Sequence, residues 1–287
     1  MNPLAGGWSG RTFLSDVGGA RSVVRIYPPD DSRGTAAPEV DAAVMQLVRG
    51  LVPVPDVLEV RRTDGTVPGL LVTAWCEGDN GESVVPEDAV RRRRLGESLG
   101  RTAGTLAGMP TLRAGTWTGT DLSIEPFGLT LPDWVAAHAD RLAGWSAGQL
   151  RALEAVAAGA DELLSSVGRT CVVHSDLNPK NVLVEDGGAV RWVLDWEFSH
   201  SGSPFTDLGN VLRFDRDHAY ADAALASYVE VRGGDRDEVL ELARSADLWA
   251  LVELASRTGV NPVATRADVL LTEIARTGDV HAWPSGW

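Results

Sequence analysis

A chain of 287 residues has room for one large domain or two lobes with an ample core, and its net charge of −14 is the opposite of what a nucleic-acid binder shows. No apolar run approaches the roughly 20 residues of a membrane span. Met1 to Gly7 lacks the basic-then-apolar pattern of a signal peptide, so a cytoplasmic location without a membrane partner is expected. Cys76 and Cys171 stand far apart in apolar surroundings and read as buried free thiols of a reducing compartment, not as a metal site. The acidity is uneven. Residues 1–75 hold 7 Arg against 8 Asp and Glu, while the remainder holds 19 Lys and Arg against 32 acids. Such a second half raises the local concentration of cationic ligands.

Taken in order, the chain opens with glycines at 6, 7 and 10, an alternating stretch through Thr12, Phe13 and Leu14, the turn Gly18-Gly19, and the apolar run Ser22 to Tyr27. This is strand, glycine turn, strand, with backbone around Gly7, Ser9 and Gly10 open enough to approach a phosphate. Ala37 to Val48 reads as a helix, with Pro38 in its first turn and a stripe of Val40, Val44, Leu47 and Val48. Val57 to Val60 and Leu70 to Trp75 read as strands about Asp64-Gly65, and Gly78 ends the second before the loop Asp79-Asn80-Gly81. A helix follows over 87–108, its Arg91 to Arg94 run reading as a solvated face. Residues 110–130 read as loop, and helices are expected over 134–142 and 149–164.

The most informative stretch is Val172 to Val184, an apolar strand, the polar loop His174-Ser175-Asp176-Leu177-Asn178-Pro179-Lys180-Asn181, and a second apolar strand. Asp186-Gly187-Gly188 then supplies the positive φ of a hairpin whose return strand ends at Leu194. The hairpin brings Asn181 at or beside Asp195, with the carboxylate of Asp176 on the loop before them. Hard oxygen ligands gathered beside a polar loop suit Mg²⁺, which takes one or two protein carboxylates and fills its shell with substrate phosphates. Gly202, Pro204 and Asp207 precede a helix that Asp207 would cap, and a helical tail is expected over 219–230, 235–258 and 263–277.

His174-x-Asp176-x-x-x-x-Asn181, with Asp195-Trp196-Glu197 beginning 14 residues after the Asn, resembles the catalytic segment of the aminoglycoside phosphotransferase and choline kinase-like family. These are small-molecule relatives of the protein kinases. The resemblance implies an α+β, two-lobed protein kinase-like fold with a β-rich N-lobe over 1–77 and a mainly helical C-lobe over 78–287. It further implies that Asp176 accepts or orients the proton of the attacking hydroxyl, and that Asn181 and Asp195 hold Mg²⁺ on the phosphates of ATP, or of GTP. His174 would brace the loop. Arg25 occupies the place of the family's strand lysine, since the only lysine of the chain is Lys180; its fork suits phosphate oxygens. Asp41, with Glu39 left open, would pair with Arg25, and Trp75 and Cys76 fall in the hinge that reads adenine.

The expected function is therefore ATP-dependent O-phosphorylation of a cationic small molecule, an aminoglycoside or a cationic peptide antibiotic of the viomycin and capreomycin type. A kinase of choline, homoserine or a sugar is the alternative with the same chemistry. A nucleotide-binding module without turnover is the alternative outside it. No obligatory protein partner is expected. Glu197, Asp215, Asp217 and Glu253 are acids on segments able to line an acceptor pocket.

Overall fold

The computed structural model of the chain describes residues 2–4, 11–84 and 88–287. Gly7, Ser9 and Gly10, expected near the phosphates, lie outside the described residues. Strands β1 (Asn2–Pro3), β2 (Arg11–Val17), β3 (Ala20–Tyr27), β4 (Val57–Arg61) and β5 (Gly69–Ala74) form one antiparallel sheet in the order β1-β2-β3-β5-β4. Gly18 and Gly19 join β2 to β3 with φ of 61° and 88°, a backbone that two residues with Cβ atoms would resist and that matches the twist of the paired strands. Helix α1 (Ala37–Val48) begins and ends where the pattern placed it. Its buried face runs through Asp41, Val44, Met45 and Val48, whereas Leu47 is exposed. The stripe therefore passes through Met45 instead of Leu47, and a carboxylate lies on the buried side.

Beyond Ala74 the chain leaves the first sheet. Strand β6 (Asp79–Asn80) pairs with the hairpin strands β11 (Val182–Val184) and β12 (Val190–Val193) in the order β12-β11-β6. Between them come α2 (Gly81–Val84), α3 (Ala89–Ala107), α4 (Leu131–His138) and α5 (Ala147–Ser165). The segment read as loop carries three short strands, β7 (Pro110–Thr111), β8 (Gly115–Thr118) and β9 (Ser123–Pro126). They join β10 (Thr170–Val173) and β13 (His200–Gly202) in a sheet of order β7-β10-β13-β8-β9. Strands of two to four residues show too few alternations to read as a period. Gly115 is needed there, because a Cβ would stand 2.1 Å from the carbonyl oxygen of Glu125.

The chain closes with α6 (Thr206–Leu212), α7 (Ala223–Arg232), α8 (Arg236–Ala255) and α9 (Pro262–Thr277). Two apolar cores result. One joins α1 to α3, the hairpin, α6 and α7 through Val48, Leu99, Val172, Val182, Val193 and Leu208. The other lies within α4, α5, α8 and α9 around Leu131, Leu153, Leu251 and Leu271. A β-rich N-terminal part thus stands against a mainly helical remainder, and the backbone amide of Val193 donates to the carbonyl of Pro53 (2.8 Å) to tie them beside the hairpin.

Candidate active site

The hairpin register sets Val182 opposite Val193, and the Leu194 amide donates to the Asn181 carbonyl at 2.8 Å, so Asn181 and Asp195 are neighbours across the two strand ends. His174, fully buried, locks the loop between them. Its Nε2–H donates to the carbonyl of Leu194 (2.8 Å) and its Nδ1 accepts the amide of Asp176 (3.2 Å), which fixes one neutral tautomer. The Asp207 carboxylate accepts the amides of His174 and Ser175 from α6, and burial pushes it above the usual carboxylate range against the pull of those donors. Ser175 and Asp195 hold φ of 68° and 61°, left-handed backbone that costs a residue with a Cβ of order 1 kcal/mol or more and persists because the surroundings enforce it.

Asp176 is held at both oxygens. Asn178 Nδ2 donates to one (2.8 Å) and Asn181 Nδ2 to the other (2.7 Å). Asn178 was not singled out from the sequence. Its place between Asp176 and Asn181 in a polar loop was the available signal. With Nδ2 of Asn181 committed to Asp176, its amide oxygen is the atom left to face a cation beside Asp195. That pair fits Mg²⁺ in kind, one carboxylate and one neutral oxygen, with phosphates supplying the rest. Among the described residues no cluster of three His, Cys, Asp or Glu could hold an ion unaided.

The cation of β3 differs from expectation. Arg25 directs Nη1 to Asp195 and Nη2 to Glu197, each at 2.5 Å. Burial opposes its charge, but Asp195, Tyr27 and Glu197 outweigh that and raise it above the ordinary arginine value. The expected pairing with α1 is not made. Asp41 instead accepts the hydroxyl of Tyr27 (2.7 Å) and Nη1 of Arg33 (2.8 Å), and Glu39 lies 3.6 Å from Nε of Arg62. The physical reason is burial: Asp41 on the inner face of α1 is satisfied by the nearest donors. At the expected hinge, Arg21 stacks 5.3 Å over Trp75 and pairs with Glu77, while burial pushes the Cys76 thiol up to about 11.

The four acids offered for an acceptor pocket each meet an arginine: Glu197 with Arg25, Asp215 and Asp217 with Arg92, and Glu253 with Arg257. Arg92 is accordingly half-buried and not part of a freely solvated face.

Comparison with known proteins bears on the same residues. The model of the phosphotransferase enzyme family matches residues 1–242. A search of curated proteins finds no match. Among solved structures, aminoglycoside phosphotransferase APH(4)-Ia is similar in fold, with a TM-score of 0.69 at 17% identity, over 96% of this chain and 93% of that one. ADP-bound aminoglycoside phosphotransferase APH(2'')-Ib gives 0.64 at 13% identity, over 98% and 94%. The macrolide 2'-phosphotransferase MphH of Brachybacterium faecium gives 0.60 at 18%, over 94% and 91%. The matched span contains the bracing histidine, the doubly held aspartate, the hairpin and Asp207, which does not cap α6 as expected but spends both oxygens on the loop amides, and the chain belongs to the phosphotransferase enzyme family.

Proposed function

We propose that the chain transfers the γ-phosphoryl group of ATP to a hydroxyl of a cationic small molecule, an aminoglycoside or a cationic peptide antibiotic. The observation that carries this reading is the Asp176 carboxylate, oriented by Asn178 and Asn181 on a braced loop beside Asp195. An acceptor-only carboxylate so fixed can take the proton of an attacking hydroxyl, or aim it, a contribution of roughly 100- to 10,000-fold. Asn181 and Asp195 hold Mg²⁺ on the nucleotide, and the ion, when bound, offsets the charge of the phosphates. Residues 1–77 hold the nucleotide through Gly7, Ser9, Gly10, Arg25, Trp75 and Cys76, and 78–287 carry the loop and the acceptor. Asp41 serves this set at one remove, through Arg33 and through Tyr27, whose ring lies against Arg25. A thermostable mutant of APH(4)-Ia in ternary complex with AMP-PNP and hygromycin B, similar in fold at a TM-score of 0.68 and 16% identity, supports such an arrangement.

The net charge of −14 supports a cationic acceptor by steering. One observation favours a second acceptor class: Glu197, Asp215, Asp217 and Glu253 are already paired with arginines, so a neutral acceptor, such as a sugar, suits the same chemistry.

The test is ADP release from Mg²⁺-ATP across aminoglycosides, viomycin, capreomycin, macrolides, choline, homoserine and sugars, with mass spectrometry for the gain of one phosphate. Turnover on a cationic antibiotic is expected. Turnover confined to sugars would move the reading to the neutral acceptor, and turnover confined to any of the metabolites would end the antibiotic reading.

A further inference from the structure

We infer that Glu197 is the positioning residue for Arg25, taking the place of an acid from helix α1, and that Arg25 lends its other arm to Asp195 only until a nucleotide arrives. The inference rests on the nucleotide reading above and deepens it. Both terminal nitrogens of Arg25 reach a carboxylate of the segment Asp195-Trp196-Glu197, Nη1 that of Asp195 and Nη2 that of Glu197. A lysine ammonium lacks this planar fork.

The two carboxylates are not equivalent. The Glu197 side chain is 6% exposed and that of Asp195 is 31% exposed. A buried carboxylate stripped of its cation is strongly destabilising, so the Glu197 pair is the lasting one. Asp195 opens to solvent and borders Asn181, so it can pass from Arg25 to a nucleotide-bound cation, which frees Nη1 of Arg25 for a phosphate oxygen. Helix α1 still contributes at one remove. Arg33, held by Asp41, donates to the carbonyl oxygen of Glu197 at 3.1 Å, so the path runs from Asp41 through Arg33 to the segment that fixes Arg25.

The experiment is calorimetric titration of ADP, in EDTA and in Mg²⁺, into the wild type, Glu197→Gln, Arg25→Ala, the double variant, Asp195→Asn and Asp41→Asn, after each is shown by melting to be folded. Glu197→Gln should weaken ADP about tenfold in Mg²⁺, the size of one charge-assisted hydrogen bond, and by less in EDTA, where no cation draws Asp195 away from Arg25. In the Arg25→Ala background it should change nothing further, as a residue acting through Arg25 must. The double variant removes both members of the buried pair, so it keeps the cycle measurable if Glu197→Gln alone fails to fold; it must then match Arg25→Ala. Asp195→Asn should weaken ADP only in Mg²⁺, and Asp41→Asn should cost less affinity than Glu197→Gln. Additivity of Glu197→Gln with Arg25→Ala, a Glu197 effect larger in EDTA than in Mg²⁺, or the reverse order for Asp41 would overturn the inference alone. A wild type that binds no ADP would overturn the nucleotide reading and this inference together.

Discussion

Asp207 accepts the backbone amides of His174 (3.0 Å) and Ser175 (2.8 Å), so a carboxylate at the start of α6 holds both residues that precede Asp176. The second of them is the left-handed Ser175, whose strain needs an external hold. Asp207→Ala would leave two interior amides unpartnered and should destabilise the chain by about 3 kcal/mol. It should also lower kcat while leaving the Michaelis constant for nucleotide within twofold or so, a split that steady-state kinetics and thermal melting would resolve. Asp207→Asn keeps one acceptor oxygen and should fall between the two. Undiminished kcat in a destabilised Asp207→Ala protein would mean that α6 supports the loop without aiming Asp176.

The grip on Asp176 predicts a graded series. Asp176→Asn should cost roughly 100- to 10,000-fold in kcat, because an amide cannot take the proton. ADP affinity should persist, since the proposed function puts the residue on the acceptor side. Asn178→Ala removes one of two amide donors and should cost about tenfold in kcat. Titration calorimetry beside steady-state rates checks both. Lost ADP binding in Asp176→Asn would move that carboxylate to the nucleotide side.

Much of this site was legible because it is local. Asp186-Gly187-Gly188 fixes the hairpin, and the hairpin fixes Asn181 against Leu194 and Asp195, whatever the rest of the chain does. Helix α1 was legible in its 12-residue span, since Pro38 in its first turn and the apolar stripe ending at Val48 mark its two ends. The partner of Arg25 was not. It is chosen by which carboxylate crosses from the other part of the molecule, 170 and 172 positions away, and no spacing rule reports that. Arg33 was silent for the same reason, as its significance lies in reaching the Glu197 carbonyl from a loop. The strands over 110–126 were too short to carry a period, and they exist because β10 offers an edge to β7 and β13 offers one to Gly115.

Gly96, Gly100 and Gly104 recur every fourth residue on α3, at positions where glycine costs a helix about 1 kcal/mol each relative to alanine. The return is close approach: a Cβ on Gly100 would lie 2.0 Å from the carbonyl oxygen of Ala224, and one on Gly96 2.3 Å from that of Tyr220. Gly100→Ala should therefore destabilise by about 2 kcal/mol despite its better helix propensity, as α3 and α7 are forced apart. Gly159 on α5 has nothing within 4 Å of the added carbon, so Gly159→Ala should instead stabilise by about 0.8 kcal/mol. Denaturant unfolding of the two variants compares them directly, and equal shifts would count against the packing account.

His138 predicts an acid-side loss of stability. Its ring is buried against Trp134 at 4.1 Å, and its Nδ1–H donates to the Trp134 carbonyl, since a carbonyl can only accept. Burial lowers its pKa below the ordinary 6.5, with Arg141 and Arg257 adding to the effect and the Trp134 carbonyl and Glu253 opposing it. The unfolded chain then binds a proton that the folded chain refuses, so stability falls as pH drops through about 6.5 and levels off below the folded value. His138→Asn keeps a donor near the Nδ1 position without titrating. Between pH 7.5 and 5.0 the wild type should lose more melting temperature than this variant. Asp207 and Asp247, both raised by burial, act in the opposite direction but are present in both proteins, so they leave the difference intact. Parallel melting curves across that range would show that His138 takes up its proton as readily folded as unfolded, and that Trp134 and the helix carbonyl do not exclude it.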